Sequence, residues 1–210
     1  MHLIIFGATG DTGRCLIERA LARGHQVRAV ARTPAKLDLH HPALEVVRGD
    51  VTDPASIAPL LAGQDAVLSA LGAPVGREPV MLYSQGISAI LAAMALHGVQ
   101  RIACVSAGGT KQGTDSNNPW FFEHVITPLL LARIFDDMRR MEGLLMDSNT
   151  AWTILRPPQL LNTPATGRYR VAPAYSLPHG RQIARADLAD LMLDAVEQGT
   201  YIRTAVAVAY

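Results

Sequence analysis

Phe6-Gly7-Ala8-Thr9-Gly10-Asp11-Thr12-Gly13 follows directly on the apolar run Leu3-Ile4-Ile5, and the periodic set Leu16, Ile17, Ala20 and Leu21 comes next. An apolar run, a glycine-rich turn and a helical periodicity in that order predict a strand, a phosphate cradle and a helix. Three glycines at a spacing of three residues let the backbone turn sharply off the strand and approach a pyrophosphate. The chain then enters a helix whose first N–H groups point at the anion. A side chain at any of the three is expected to block that approach. Gly7, Thr9, Gly10, Asp11, Thr12 and Gly13 are therefore the first candidate cofactor-binding residues.

The chain has 210 residues, 49% of them hydrophobic, enough to bury one large core. A single α/β domain over residues 1–210 is expected, a doubly wound Rossmann sheet with helices on both faces. The formal charge is +1, with 17 Arg and 2 Lys against 18 acidic residues. That balance supplies no uniform field for a nucleic-acid backbone or an anionic membrane. Cys15 and Cys104 lie far apart and form no metal or redox motif, which suits buried free thiols in a reducing compartment. The longest apolar runs, such as Ile87 to Leu96, are too short to span a bilayer, and no basic leader precedes the first strand. A cytoplasmic protein, monomeric or a small homo-oligomer, is expected.

Gly24 stops the first helix and Gln26 to Ala31 alternates as a second strand. An acid about 20 positions beyond the glycines would grip the adenosine ribose of NAD. None is present: Ala31 leads into Arg32-Thr33-Pro34-Ala35-Lys36, and no acid occurs between Glu18 and Asp38. Arg32, helped by Lys36, would meet the extra phosphate of NADP with charge-assisted hydrogen bonds. At about 1.5–3 kcal/mol for a bond to a charged group, that favours NADPH over NADH by about ten- to a hundredfold.

Leu44 to Arg48 reads as a third strand, ending in Gly49-Asp50-Val51-Thr52-Asp53-Pro54, where Asp53 caps a short helix. Asp50 either accepts a hydrogen bond from the adenine amino group, with Val51 over the ring, or stabilises the turn. Asp65 to Ala70 makes a fourth strand, and Ala70, Leu71 and Gly72 would flank the pyrophosphate and nicotinamide ribose. Pro79 through Gly98 has a long helix pattern, with His97 in its last turn. Arg101 to Ser106 is a fifth strand that delivers Ser106 to the carboxyl edge. There the serine orients the nicotinamide carboxamide, orients a substrate carbonyl, or merely caps the strand.

A turn-rich stretch, Lys111 to Pro119, precedes a helical region from Trp120 to Asp147. Its aromatic cluster, Trp120, Phe121 and Phe122, lids a flat substrate or serves the core or a subunit contact. Asp136, Asp137, Arg139 and Arg140 read as a solvated helix face. Ala151 to Arg156 is a sixth strand, and 157–182 is expected to be a substrate-facing loop with a small hairpin around Tyr169. A last helix runs from Ile183 to near Gly199, and Tyr201 to Ala207 would form an edge strand.

Carbonyl reduction by ordinary short-chain dehydrogenases needs a Tyr acid with a Lys four residues later. None of the five tyrosines has one, and the only lysines are Lys36 and Lys111. Without a placed proton donor, hydride transfer to a simple ketone leaves a poorly stabilised alkoxide. A flavin, a quinone or a linear tetrapyrrole delocalises the added charge. The seven histidines show no ligand spacing, so no metal is expected, and Ser106 lacks a Gly-x-Ser-x-Gly elbow.

These residues resemble the atypical short-chain dehydrogenases of the flavin reductase/biliverdin-IXβ reductase type, within the NmrA-like NAD(P)-binding group. The likeness covers about residues 1 to 195. It rests on the glycine turn, Arg32 with Lys36, Gly49-Asp50-Val51, Gly63 to Val67 leading to Leu71-Gly72, Ala95 to Val99, Ser106-Ala107, Pro157-Pro158 and Asp187-Leu188. It implies NADPH as hydride donor, flat aromatics stacked over the nicotinamide, Ser106 positioning cofactor and substrate, and Pro158 and Gln159 beside the cofactor. Vertebrate-type members carry a His where this chain has Gln159, which donates a hydrogen bond but does not titrate near neutral pH. A non-catalytic NADP(H) sensor of the NmrA kind is the alternative function. A sugar-nucleotide epimerase is disfavoured by the missing Tyr/Lys pair and by the short tail after the sixth strand.

Overall fold

The computed structural model describes residues 1–74, 76, 80–113, 115, 117 and 130–210. The aromatic cluster Trp120 to Phe122, and Pro79 at the expected start of the third long helix, lie outside them.

The first half alternates strands and helices: β1 (His2–Phe6), α1 (Asp11–Ala22), β2 (Gln26–Ala31), β3 (Leu44–Arg48), α2 (Pro54–Ile57), β4 (Ala66–Ser69), α3 (Leu82–His97) and β5 (Arg101–Val105). Then come α4 (Ala132–Asp147), β6 (Ala151–Arg156), β7 (Gln159–Leu161), β8 (Arg170–Ala172), β9 (Gln182–Ala184), α5 (Arg185–Gln198) and β10 (Thr204–Ala209). Eight strands form one sheet in the order β3-β2-β1-β4-β5-β6-β10-β8. All neighbours are parallel except β8, which runs antiparallel to β10. This is the Rossmann-like α/β fold the sequence predicts.

Both faces are covered, and the strands alternate between them. Leu3 and Ile5 pack with α1 and α5, while Ile4 and Phe6 pack with α3 and α4. Since successive side chains of a strand point to opposite faces, a strand buried on both sides reads as a continuous apolar run, as Leu3-Ile4-Ile5-Phe6 does. The chain leaves β1 toward β2 on one side and resumes at β4 on the other. Order reverses between β1 and β4, and the crevice beyond their carboxyl ends is where such sheets bind ligands.

Two expectations about the C-terminal part are corrected. The stretch read as an edge strand is β10, an inner strand between β6 and β8. Val206 and Val208 are fully buried, with Ala207 and Ala209 nearly so, and residues apolar on both faces need cover on both sides. No hairpin forms around Tyr169: β8 pairs with β10, while β7 pairs with β9 in a separate parallel pair, so 157–182 contains strands. Asp187, fully buried in the first turn of α5, ties this segment down. It accepts hydrogen bonds from Thr166 N (2.9 Å), Gly167 N (2.8 Å), Thr166 Oγ1 (3.0 Å) and Tyr210 Oη (2.6 Å).

The supposed solvated face of α4 is also corrected. Asp137 is fully buried. Its carboxylate accepts from the backbone N–H groups of Tyr83 (2.8 Å) and Ser84 (3.3 Å) and from the Ser84 hydroxyl. No side chain of α3 itself caps that helix, so a carboxylate from the neighbouring helix satisfies its orphan donors and sits at the favourable end of its dipole. Asp137 shares a helix face with Ile134, Met141 and Leu145, whose burial signals its position. Replacing Asp137 by Ala leaves buried N–H groups unpaired and is expected to destabilise the protein by about 2 kcal/mol or more. Asp136→Ala, on the exposed side, should cost less than about 0.5 kcal/mol. Urea unfolding of the two variants checks this: equal effects would place Asp137 on the surface.

Candidate cofactor and active site

The turn after β1 is set by two close backbone approaches. Gly7 has φ +77°, and a Cβ there would run into the Ala70 carbonyl oxygen at the end of β4. A Cβ on Gly13 would strike the Gly7 carbonyl oxygen. Gly10 differs, because its Cβ would meet only the Gly7 oxygen at 3.5 Å, an ordinary contact. The expectation that all three glycines clear a path for the ligand is thus divided. Gly7 and Gly13 are required by the protein's own packing, and Gly10 alone leaves space outside it. Gly10 is the N-cap of α1 and no side chain caps that helix, so its first-turn N–H groups remain for a ligand or water.

A cleft of about 440 Å³ opens there. It brings together Gly7, Thr9, Gly10, Asp11 and Thr12 after β1, Arg32 after β2, Asp50 and Val51 after β3, Ala70, Leu71 and Gly72 after β4, and Ser106 after β5. Tyr83 of α3, Met138 of α4, Leu160 of β7 and Arg185 of α5 complete the wall. Gly13, Lys36, Pro158 and Gln159 are not among the lining residues. Gln159 is exposed while its strand neighbour Leu160 faces the cleft, as the alternation of a strand requires.

At one end, Arg32 is exposed and makes no ion pair among the described residues. Asp50 Oδ1 accepts from Thr52 N (3.0 Å) and Thr52 Oγ1 (2.8 Å), so one oxygen stabilises the turn. The backbone bond from Thr52 holds the Asp50 carboxyl below its ordinary value against the opposing effect of burial, aided by the Thr52 hydroxyl and the Arg32 charge. Arg14, which sequence reasoning passed over, donates to the Thr9 carbonyl (3.3 Å) and to the Lys36 carbonyl. Its guanidinium therefore joins the glycine turn to the segment after β2.

At the other end, Ser106 is buried and its hydroxyl donates to Glu142 Oε1 at 2.6 Å. Glu142 is buried as well and forms a two-pronged pair with Arg156, Nε to Oε1 at 3.0 Å and Nη2 to Oε2 at 2.6 Å. Thr110 Oγ1 lies 3.2 Å from the same Oε1 and 2.9 Å from the Ala107 carbonyl, either of which can accept its one proton, and the Arg156 guanidinium lies 3.8 Å over the Tyr175 ring. The geometry decides what Ser106 can do. With its proton committed to Glu142, its remaining lone pair accepts a hydrogen bond, as from a carboxamide N–H, but the hydroxyl does not donate to a carbonyl. Glu142 lies four residues after Met138 and three before Leu145, both buried on α4, so an acid on that apolar face was the available signal.

Arg185, which also lines the cleft, donates to the Leu160 carbonyl (3.1 Å) and to Asn162 Oδ1 (2.7 Å), with Asp11 at 3.8 Å. Of the cysteines, Cys104 is buried, its thiol pushed up to about 12 by burial, whereas Cys15 is half-buried; both are free. Among the described residues no group of His, Cys, Asp and Glu is placed to hold a metal, and no helix is long and apolar enough to cross a membrane.

A family model described as NAD(P)H-binding matches residues 7–199, and the chain belongs to that family. An Arabidopsis thaliana relative, the uncharacterized chloroplastic protein At2g34460, is 30% identical over 208 residues, covering 93% of this chain and 72% of the relative. A wide-type short-chain dehydrogenase/reductase from Veillonella parvula, solved in complex with NADP, superposes with a TM-score of 0.80 at 20% identity, over 100% of this chain and 94% of that one. A candidate NADH-flavin reductase from Streptococcus pneumoniae gives a TM-score of 0.77 at 24% identity, over 100% and 99% of the two chains. Both solved structures share the fold.

The division of labour among the glycines is testable. Gly10→Ala should fold with a little-changed melting temperature and lose at least about tenfold in NAD(P)(H) affinity, since it intrudes only on the ligand's side. Gly13→Ala should lower the melting temperature, because the backbone has to give way. Calorimetric melting and cofactor titration of both variants would expose the opposite pattern if the assignment is wrong.

Proposed function

We propose that the protein is an NADPH-dependent reductase that passes a hydride to a flat conjugated acceptor such as a flavin, a quinone or a linear tetrapyrrole. The observation that carries this reading is the make-up of the cleft. One end offers the open face of Gly10, an uncapped helix start and the Arg32 guanidinium, which suit a pyrophosphate and a ribose phosphate. The other end offers Ser106 as an acceptor and apolar walls from Met138 and Leu160. Among the described residues that line it there is no lysine and no histidine. These residues fit NADP(H), and the fold shared with an NADP-bound dehydrogenase/reductase supports the choice.

NADPH, when bound, supplies the hydride. The protein's part is to place it. The glycine turn and α1 would hold the pyrophosphate, Arg32 would select the ribose phosphate, and Ser106, fixed by Glu142, would accept from the carboxamide N–H and so set the ring's orientation. A conjugated acceptor spreads the added charge over its own atoms and so has less need of a strong acid. The likeness to the candidate flavin reductase favours a flavin within that class. The acceptor is a free small molecule.

A non-catalytic NADP(H) sensor is the second reading, favoured by the commitment of the Ser106 proton to Glu142. Loss of NADPH absorbance, followed with FMN, riboflavin, menadione, biliverdin and a simple ketone, separates the two. The reductase reading expects saturable oxidation with at least one conjugated acceptor, slower with NADH, and none with the ketone. Tight NADP(H) binding without turnover on any acceptor would move the function to sensing.

A further inference from the structure

Tyr83 is the one phenol that lines the cleft among the described residues, and nothing in the reading above uses it. It stands in the first turn of α3 with 3% of its surface exposed, so its hydroxyl has exchanged bulk water for the protein and the cleft. The oxygen is fixed: the backbone N–H of Ala73, just past the β4 turn that flanks the cofactor site, donates to Tyr83 Oη at 2.9 Å. The backbone of the same residue is held by Asp137. A phenol whose oxygen accepts from a main-chain N–H still has its own proton to give, and no described residue accepts it. Burial pushes this phenol above its ordinary value, so it keeps that proton at neutral pH. Ser106, which also lines the cleft, cannot serve as donor.

We propose that the Tyr83 hydroxyl is the hydrogen-bond donor to a carbonyl oxygen of the acceptor, and so a catalytic residue that selects conjugated carbonyl compounds, quinones and flavins, among flat acceptors. The inference rests on the reductase reading. The acceptor would take two electrons and one hydrogen from NADPH as hydride, a quinone oxygen or the flavin N1 would take one proton from water, and Tyr83 keeps its own proton while its hydrogen bond stabilises the charge shared by the acceptor's carbonyl oxygen. The donor comes from α3 and needs no lysine, because it acts as a neutral hydrogen-bond donor instead of a strong acid.

The test uses the full chain and two acceptors: menadione, which carries carbonyl oxygens, and methylene blue, a flat conjugated cation that carries none. Tyr83→Phe is expected to lower kcat on menadione about tenfold and leave methylene blue within about twofold, with NADP⁺ affinity unchanged. Calorimetric titration of menadione into the NADP⁺-loaded protein should show about fivefold weaker binding by the variant. Because the variant leaves the Ala73 N–H without its partner, 3-fluorotyrosine is also placed at position 83, keeping that bond with a stronger donor. It should raise the menadione rate and leave the methylene blue rate alone. Equal effects on both acceptors, or none on either, would overturn the proposal. If the native protein turns over neither acceptor, the reductase reading fails by itself; the binding titration then decides for Tyr83, an undiminished menadione affinity in Tyr83→Phe overturning its role.

Discussion

The backbone of Gly7 passes so close to the Ala70 carbonyl that no side chain fits between them, and the cleft exists because of that contact. It brings the ends of β1 and β4 together where the strand order reverses, which fixes the start of α1 against the loop that flanks it. Gly13 then seats the first turn of α1 on the Gly7 carbonyl. With those two positions spent on packing, Gly10 is left to face outward, and the helix begins with its donors unclaimed by any side chain. An uncapped helix start open on its outer side, a geometry suited to a phosphate, follows from satisfying the protein's own sterics.

The far end of the cleft depends on two buried carboxylates of α4. Asp137 holds the start of α3, and with it Tyr83, while Glu142 holds Ser106 and Arg156. Neither is a solvated charge: Asp137 is met by helix N–H groups, a hydroxyl and the Arg140 guanidinium at 3.4 Å, and Glu142 by a guanidinium with two parallel hydrogen bonds. Buried acids so paired position the groups around them more narrowly than apolar contacts can. The α4 helix thereby holds two residues that line the cleft with their hydroxyls in complementary states, Ser106 with its proton committed and Tyr83 with its oxygen committed.

The fold was legible because the apolar runs and the glycine spacing are local signals. Strands β1 to β6, and the residues after them that line the cleft, could be read from periodicity and turn chemistry. What the sequence concealed was set by long-range pairing. The inner position of β10 depends on β8 crossing back to cover it, and Asp137 looks like an ordinary helix acid until α3 is seen to start on it. The role of Ser106 was left open among three choices because the direction of its proton is decided by Glu142, 36 residues away. Gln159 and Pro158, brought forward by resemblance alone, stand beside the cleft without lining it.

The central claim is that the turn after β1 and the guanidinium after β2 together hold a dinucleotide with a ribose phosphate. Calorimetric titration of the protein with NADP⁺ and with NAD⁺ tests it most directly. NADP⁺ is expected to bind about ten- to a hundredfold more tightly, and the difference should collapse in Arg32→Ala. Equal affinities for the two dinucleotides, or a preference that survives the loss of Arg32, would contradict it.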